Sequence, residues 1–264
     1  MPGLLADIFR YRSFIVTSTA RQIQGQYQGS LFGVAWLFLG PLALLTVHTV
    51  IFSSLFKNRL AGVDSAFSYS IYLCAGLLPW LYFSDSVSRL TGTFVAQAGL
   101  IKKAQFPRIC LPLIAMGVSS FNFVVIAGLF LAFLLISGNW PGAVLLAAMP
   151  ALSVQVLLSL GLGVLLGVVN VYFRDVGQLV GIVFQFLFWL TPIVYPAAAT
   201  SEEIREALAW NPMAALMESF QQIFVSNRWP QWESLWLVTL LAISLCAIGL
   251  GLFRRHVGEM VDEL

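Results

Sequence analysis

Two histidines, three cysteines and twelve carboxylates are the groups of this 264-residue chain that could hold a metal, relay a proton or attack a substrate. Their spacing brings none of that chemistry together. His48 and His256 are far apart and build no metal site unaided. Cys74, Cys110 and Cys246 form no CxxC or Cys/His cluster and read as buried thiols in helices. No GxxxxGK[ST] loop is present to cradle nucleotide phosphates, and there is no HExxH, no GxSxG and no pair of carboxylates placed for acid–base work. The sequence thus calls for no catalytic, cofactor-binding or metal-binding residues. If the chain moves something uphill, the energy must arrive through a partner.

The elements that would position any site are membrane spans. Hydrophobic residues make up 59% of the chain and charged ones only 10%, far below the roughly 25% that keeps a soluble domain dissolved. A helix needs about 20 apolar residues to cross the hydrocarbon core. Leu31–Phe56, Ser65–Ser84, Val176–Ser201 and Ser234–Phe253 each meet that length, and Ile109–Phe173 holds two spans divided at Ser137-Gly142. The expected fold is an all-α integral membrane protein with six transmembrane helices. Its single permease domain would comprise an amino-terminal segment over 1–30, spans over 31–253 and a tail over 254–264.

Ten of the fourteen basic residues fall on the side shared by both termini, which marks that side as cytoplasmic. Leu4, Ile8, Tyr11 and Ile15 lie on one helical face, as in an amphipathic helix resting in the interface; a soluble leader helix is the alternative. Between spans five and six, Pro196–Glu233 is long and apolar. A short helix opening at Ser201-Glu202-Glu203-Ile204 and a second over Met213–Val225 predict a re-entrant or interfacial hairpin on the outer face. Trp229, Trp232 and Trp236 follow at the level of an aromatic belt.

The spans carry no Asp, Glu, Lys or Arg near their centres. His48 is the sole candidate for ion coupling, so an ion-coupled carrier is disfavoured. An intramembrane enzyme lacks its constellation, and a net charge of +2 gives no footprint for nucleic acid.

Three segments resemble the permeases of ABC-type polysaccharide exporters, which move O-antigen, capsule and teichoic-acid chains. They are Tyr27-Gln28-Gly29-Ser30-Leu31-Phe32-Gly33-Val34-Ala35-Trp36 running to Gly40-Pro41; Leu100-Ile101-Lys102-Lys103-Ala104-Gln105-Phe106-Pro107-Arg108 before Leu111-Pro112; and Asn170-Val171-Tyr172-Phe173-Arg174-Asp175-Val176-Gly177-Gln178, then Phe188-Trp189-Leu190-Thr191-Pro192-Ile193-Val194-Tyr195-Pro196. Asn211-Pro212 agrees with the family's pattern, whereas Gln22, Gln24, Gln26 and Gln28 stand where it is usually more basic.

The resemblance implies a homodimer around one conduit in the bacterial inner membrane, with two copies of a separate cytoplasmic ATPase that binds the ATP and Mg. The substrate would be a lipid-linked, O-antigen-like polysaccharide; capsular polysaccharide, teichoic acid, a glycolipid or a drug are the alternatives. It also implies a short cytoplasmic helix near Leu90–Lys103 that fits the ATPase. Lys102, Lys103, Arg108, Arg174 and Asp175 become the candidate coupling surface, although topology marking, snorkelling and helix capping explain the same residue types. Trp36, Tyr69, Tyr72, Trp80, Tyr82, Trp189 and Tyr195 are candidates for lining the path, where flat rings offer weak contacts to sugars. Aromatic rings also gather at interfaces regardless of function.

Overall fold

The computed structural model describes residues 6, 8–36, 38–40, 42–43, 46–47, 67–103, 107–197 and 200–263. Half of the expected first span, His48 included, lies outside the described residues. Among those described, the chain is helical with no strands. The α-helices are α1 (Arg12–Tyr27), α2 (Ser68–Ala96), α3 (Ala98–Lys103), α4 (Cys110–Ile136), α5 (Ala148–Tyr172), α6 (Asp175–Trp189), α7 (Glu202–Ala209), α8 (Pro212–Val225), α9 (Trp232–His256) and α10 (Met260–Glu263). Three of them are long and apolar enough to cross a membrane: α4, α5 with its 3₁₀ lead-in from Gly142, and α9.

The division of the long apolar run falls where the turn residues lie. α4 ends in a Schellman motif, with Asn139 N–H donating to Leu134 O and Gly138 N–H to Leu135 O. Gly138 and Gly142 both adopt positive φ, +73° and +63°, which the turn demands and glycine tolerates.

α2 is the hub, packed against α4, α5, α6 and α8. Leu73, Phe83, Val87, Leu90 and Phe94 are each at most 2% exposed. Two expectations are corrected here. The helix of the second apolar run does not stop at Ser84 but continues through Asp85 and Arg89 to Ala96, so charge falls inside it. The short helix expected near Leu90–Lys103 is only Ala98–Lys103, because residues up to Ala96 belong to α2.

The fifth apolar run is likewise not one helix over Val176–Ser201. α6 holds 15 residues, about 22 Å at 1.5 Å per residue, against a core of about 30 Å. Thr191 precedes Pro192, and the residue before a proline is driven out of the helical region. Trp80 and Phe83 of α2 hold α6 in place through ring contacts with Phe184 at 6.2 and 5.3 Å. The other face of α6 stays open at Leu179, Ile182, Val183 and Phe186.

α1 lies against α4. Ile8, Tyr11 and Ile15 are half-buried on one stripe that continues through Thr19 and Gln22. The apolar face read from Leu4 to Ile15 therefore turns polar beyond Ile15, and α1 has no apolar side along its own length. The contact is close: a Cβ on Gly117 of α4 would sit 3.0 Å from the Thr19 hydroxyl oxygen. Gly117→Leu should separate the two helices, read as loss of disulfide cross-linking between cysteines placed at 19 and 117's neighbours in a cysteine-free background.

Candidate functional site

At the end of the bundle that carries α7 and α8, the chain leaving α6 is folded into a turn whose carbonyls are met from three directions. Tyr69 donates to Val194 O at 2.6 Å, and Tyr72 reaches Tyr195 O at 2.9 Å and Pro192 O at 3.2 Å. Gln221 of α8 donates to Pro192 O at 3.0 Å. Asn211 caps α8 by accepting from Met213 N–H at 3.0 Å, and its amide nitrogen donates to the Thr191 hydroxyl at 3.0 Å. Proline at the first position of α8 then needs no N–H. α8 itself is deeply packed, with Leu216, Met217 and Ile223 at 0% exposure, so the apolar character of this connection is core packing.

The seven aromatics singled out from the sequence divide accordingly. Tyr69, Tyr72, Trp80 and Tyr82 are at most 7% exposed; the first two anchor the turn, Trp80 packs on Phe184 and Phe188, and Tyr82 bonds Ser120 at 3.1 Å. Rings so enclosed offer no face to a passing molecule in this arrangement. Trp36 and Trp189 are 49% and 62% exposed, and Tyr195 is half-buried with its hydroxyl on Trp189 O at 2.9 Å. Tyr72→Phe removes the hydrogen bond to Tyr195 O and should cost about 1–2 kcal/mol. The check is a lower thermal midpoint for the purified protein.

At the opposite end, the α5–α6 corner is fixed by a residue that sequence reasoning did not single out. Asn170, 5% exposed, accepts from Gly177 N–H at 2.8 Å and donates to Thr91 O at 3.0 Å. One amide so joins α5, α6 and α2. Asp175 does not cap α6, as its position suggested; it is the first helical residue, no local side chain caps the helix, and Asn170 does so from the preceding one. The signal was available in the Asn170…Gly177 spacing, but a cap seven residues upstream follows no local rule.

Arg174, Asp175 and Lys102 are exposed at this end, and Arg108 is half-buried. The Arg108 guanidinium donates to Val257 O at the end of α9. Lys103 closes α3, and its side chain lies outside the described residues. Ile101, Ile109, Phe253 and Met260 share one buried cluster, so α3 and the carboxy-terminal segment form a single platform beside the corner. The coupling-surface residues are thus gathered at one end of the bundle, whereas the aromatics are not gathered into one site. Among the described residues no group of His, Cys, Asp and Glu could hold a metal ion.

Comparison with known proteins places this helical arrangement. The ABC-2 type transporter pattern matches residues 14–225. The chain belongs to the ABC-2 type transporter family. Among its relatives, the O-antigen export system permease protein RfbA of Myxococcus xanthus is 27% identical over the whole of both chains. RfbA of Klebsiella pneumoniae is 26% identical over 91% of each chain, and the polysialic acid transport protein KpsM of Escherichia coli 22% identical over 92% of this chain and 93% of its own. The family resemblance read from the three segments is the one these matches show. For this ABC-2 chain, the second and third segments carry packing duties: the second places Ile101 in the cluster with Phe253 and Met260, and the third supplies both the Asn170 cap and the anchored turn.

Proposed function

We propose that this chain is the membrane subunit of an ATP-driven exporter that carries a lipid-linked, O-antigen-like polysaccharide across the bacterial inner membrane. The observation that carries the reading is the match to an O-antigen export permease along the full length of both chains. Six spans, with 31–56 as the first and both termini cytoplasmic, agree with the basic residues gathered on one side, nine of them once Arg89 is assigned to α2. On that orientation Lys102, Lys103, Arg108, Arg174 and Asp175 face the cytoplasm, where two copies of a separate ATPase would dock and supply ATP and Mg chemistry. The open apolar face of α6 suits a second copy of the chain, giving a homodimer around one conduit. Trp36, Trp189 and Tyr195 are the candidates whose rings remain available to such a conduit. The subunit itself would catalyse nothing.

The test is polymer export in cells lacking the gene, complemented with the native chain in the presence or absence of a working ATPase partner. Polymer should accumulate inside the deletion strain, and rescue should require the ATPase. Unchanged surface polymer in the deletion strain would remove the substrate assignment.

A further inference from the structure

The charged pair within α2 lies beside a cleft of about 560 Å³ between α2, α4 and α6. Asp85 accepts two hydrogen bonds from Arg89 Nε, at 2.9 and 2.8 Å, and one from the Ser119 hydroxyl at 2.6 Å. Ser119 is nine residues into α4 from Cys110, so the pair sits about 13 Å in from that end of a 27-residue helix. On the six-span reading that depth lies within the bilayer core, where ionisable groups are costly and persist facing a polar path. Asp85 borders the cleft with its side chain 38% exposed, and Arg89 beside it is 34% exposed. Ser84, Ser88 and Asn122 add polar groups to the wall, and the half-buried Phe123 supplies ring surface. The Asn122 side-chain oxygen is buried and accepts from nothing among the described residues. Along α6, Gln178 and Gln185 are exposed one turn to either side of Gly181, which itself borders the cleft.

We propose that this cleft is a contact site for neutral polyhydroxylated rings, a carbohydrate subsite on the transport path. The inference rests on the polysaccharide-exporter reading and gives it a location. The chemistry selects the ligand class. One carboxylate and one guanidinium cancel, so the cleft attracts neither a cation nor a phosphate strongly. A sugar hydroxyl both donates and accepts, matching the vacant Asn122 acceptor and the serine hydroxyls. The Phe123 ring offers a flat apolar surface on which a sugar face rests. Each contact is weak and mobile, as a polymer in transit requires.

Steric plugs test the site, because Gly181 has nothing within 4 Å of an added Cβ. Gly181→Leu and Asn122→Leu, expressed with the partner ATPase, should reach wild-type membrane levels and retain ATP turnover while polymer export falls at least tenfold. Gly128→Leu is the control. It has equal room for a side chain but borders a separate, almost wholly apolar pocket, and should export within twofold of wild type. A photoreactive phenylalanine analogue at position 122 or 181 should capture radiolabelled polymer, and one at 128 should not; this readout also serves if a leucine variant fails to accumulate. Normal export by both plugged variants, or no capture at 122 and 181 in a strain whose export depends on the chain, would overturn the subsite alone. Export independent of the chain would instead overturn the reading beneath it.

Discussion

Gly161→Leu is expected to leave almost no folded protein in the membrane, and Gly161→Ala to reduce it severely. α5 and α9 form the most extensive helix pair described, and they cross with backbone on backbone. A Cβ on Gly161 would lie 2.5 Å from Cys246 N and 2.7 Å from Leu245 C, and one on Gly249 would lie 2.7 Å from Gly161 O. These obstacles are main chain, so no rotamer change can relieve them, and one helix must move off the other. Overpacking a core commonly costs about 1–3 kcal/mol, and a backbone clash at this distance belongs at or beyond the upper end. Between apolar helices in lipid, close packing is itself a main source of association, so separation forfeits much of what holds the pair. Gel filtration of a fluorescent fusion from solubilised membranes would show the loss. Gly251 on α9 has nothing within 4 Å of an added Cβ, and Gly251→Leu should run as wild type. Normal folding of Gly161→Leu would mean that the helices do not cross here.

The same glycines show what the sequence reveals and what it conceals. Gly161, Gly163 and Gly167 are legible as a small-residue step meant for close packing, and so they are. Their partners are not legible: Gly163 and Gly167 meet Leu90 of α2, whereas Gly161, two residues earlier, meets α9 on the other side. Which face a small residue serves is decided by helices that arrive from distant sequence. The positions of α4, α5 and α9 followed from charge-free length, and the Ser137–Gly142 break from turn chemistry, because both are local. Asp85 and Arg89 misled for a related reason. Charge reads as the end of a span when a helix is judged alone, but here Ser119 on α4 and the cleft beside it let α2 continue through them. Tyr69 and Tyr72 were legible as aromatics near an interface, yet their work is done by hydroxyls bonded to carbonyls more than a hundred residues downstream. No spacing rule reaches that far.

Asn170→Leu should separate the stability of the α5–α6 corner from the transport that depends on it. The leucine keeps the approximate volume but can neither accept from Gly177 N–H nor donate to Thr91 O. Gly177 N–H is one of the orphan donors of the first turn of α6, with no local side-chain cap to replace the lost amide. Leaving a buried group unpaired costs about 1–3 kcal/mol, enough to lower the thermal midpoint without preventing insertion of helices whose apolar faces are untouched. The larger effect should be functional. Arg174 and Asp175 lie between the two helices that Asn170 ties together, so releasing the tie frees their position relative to α2. If the corner transmits ATPase motion, Asn170→Leu at matched membrane levels should lower polymer export about tenfold while the complex keeps most of its ATP turnover. Asn170→Gln, with the same donor and acceptor on a longer arm, should recover part of the loss. Parallel loss of export and ATP turnover, with no recovery by Gln, would reduce Asn170 to a folding residue and move the transmission surface elsewhere, with α3 and its carboxy-terminal clamp the next candidate.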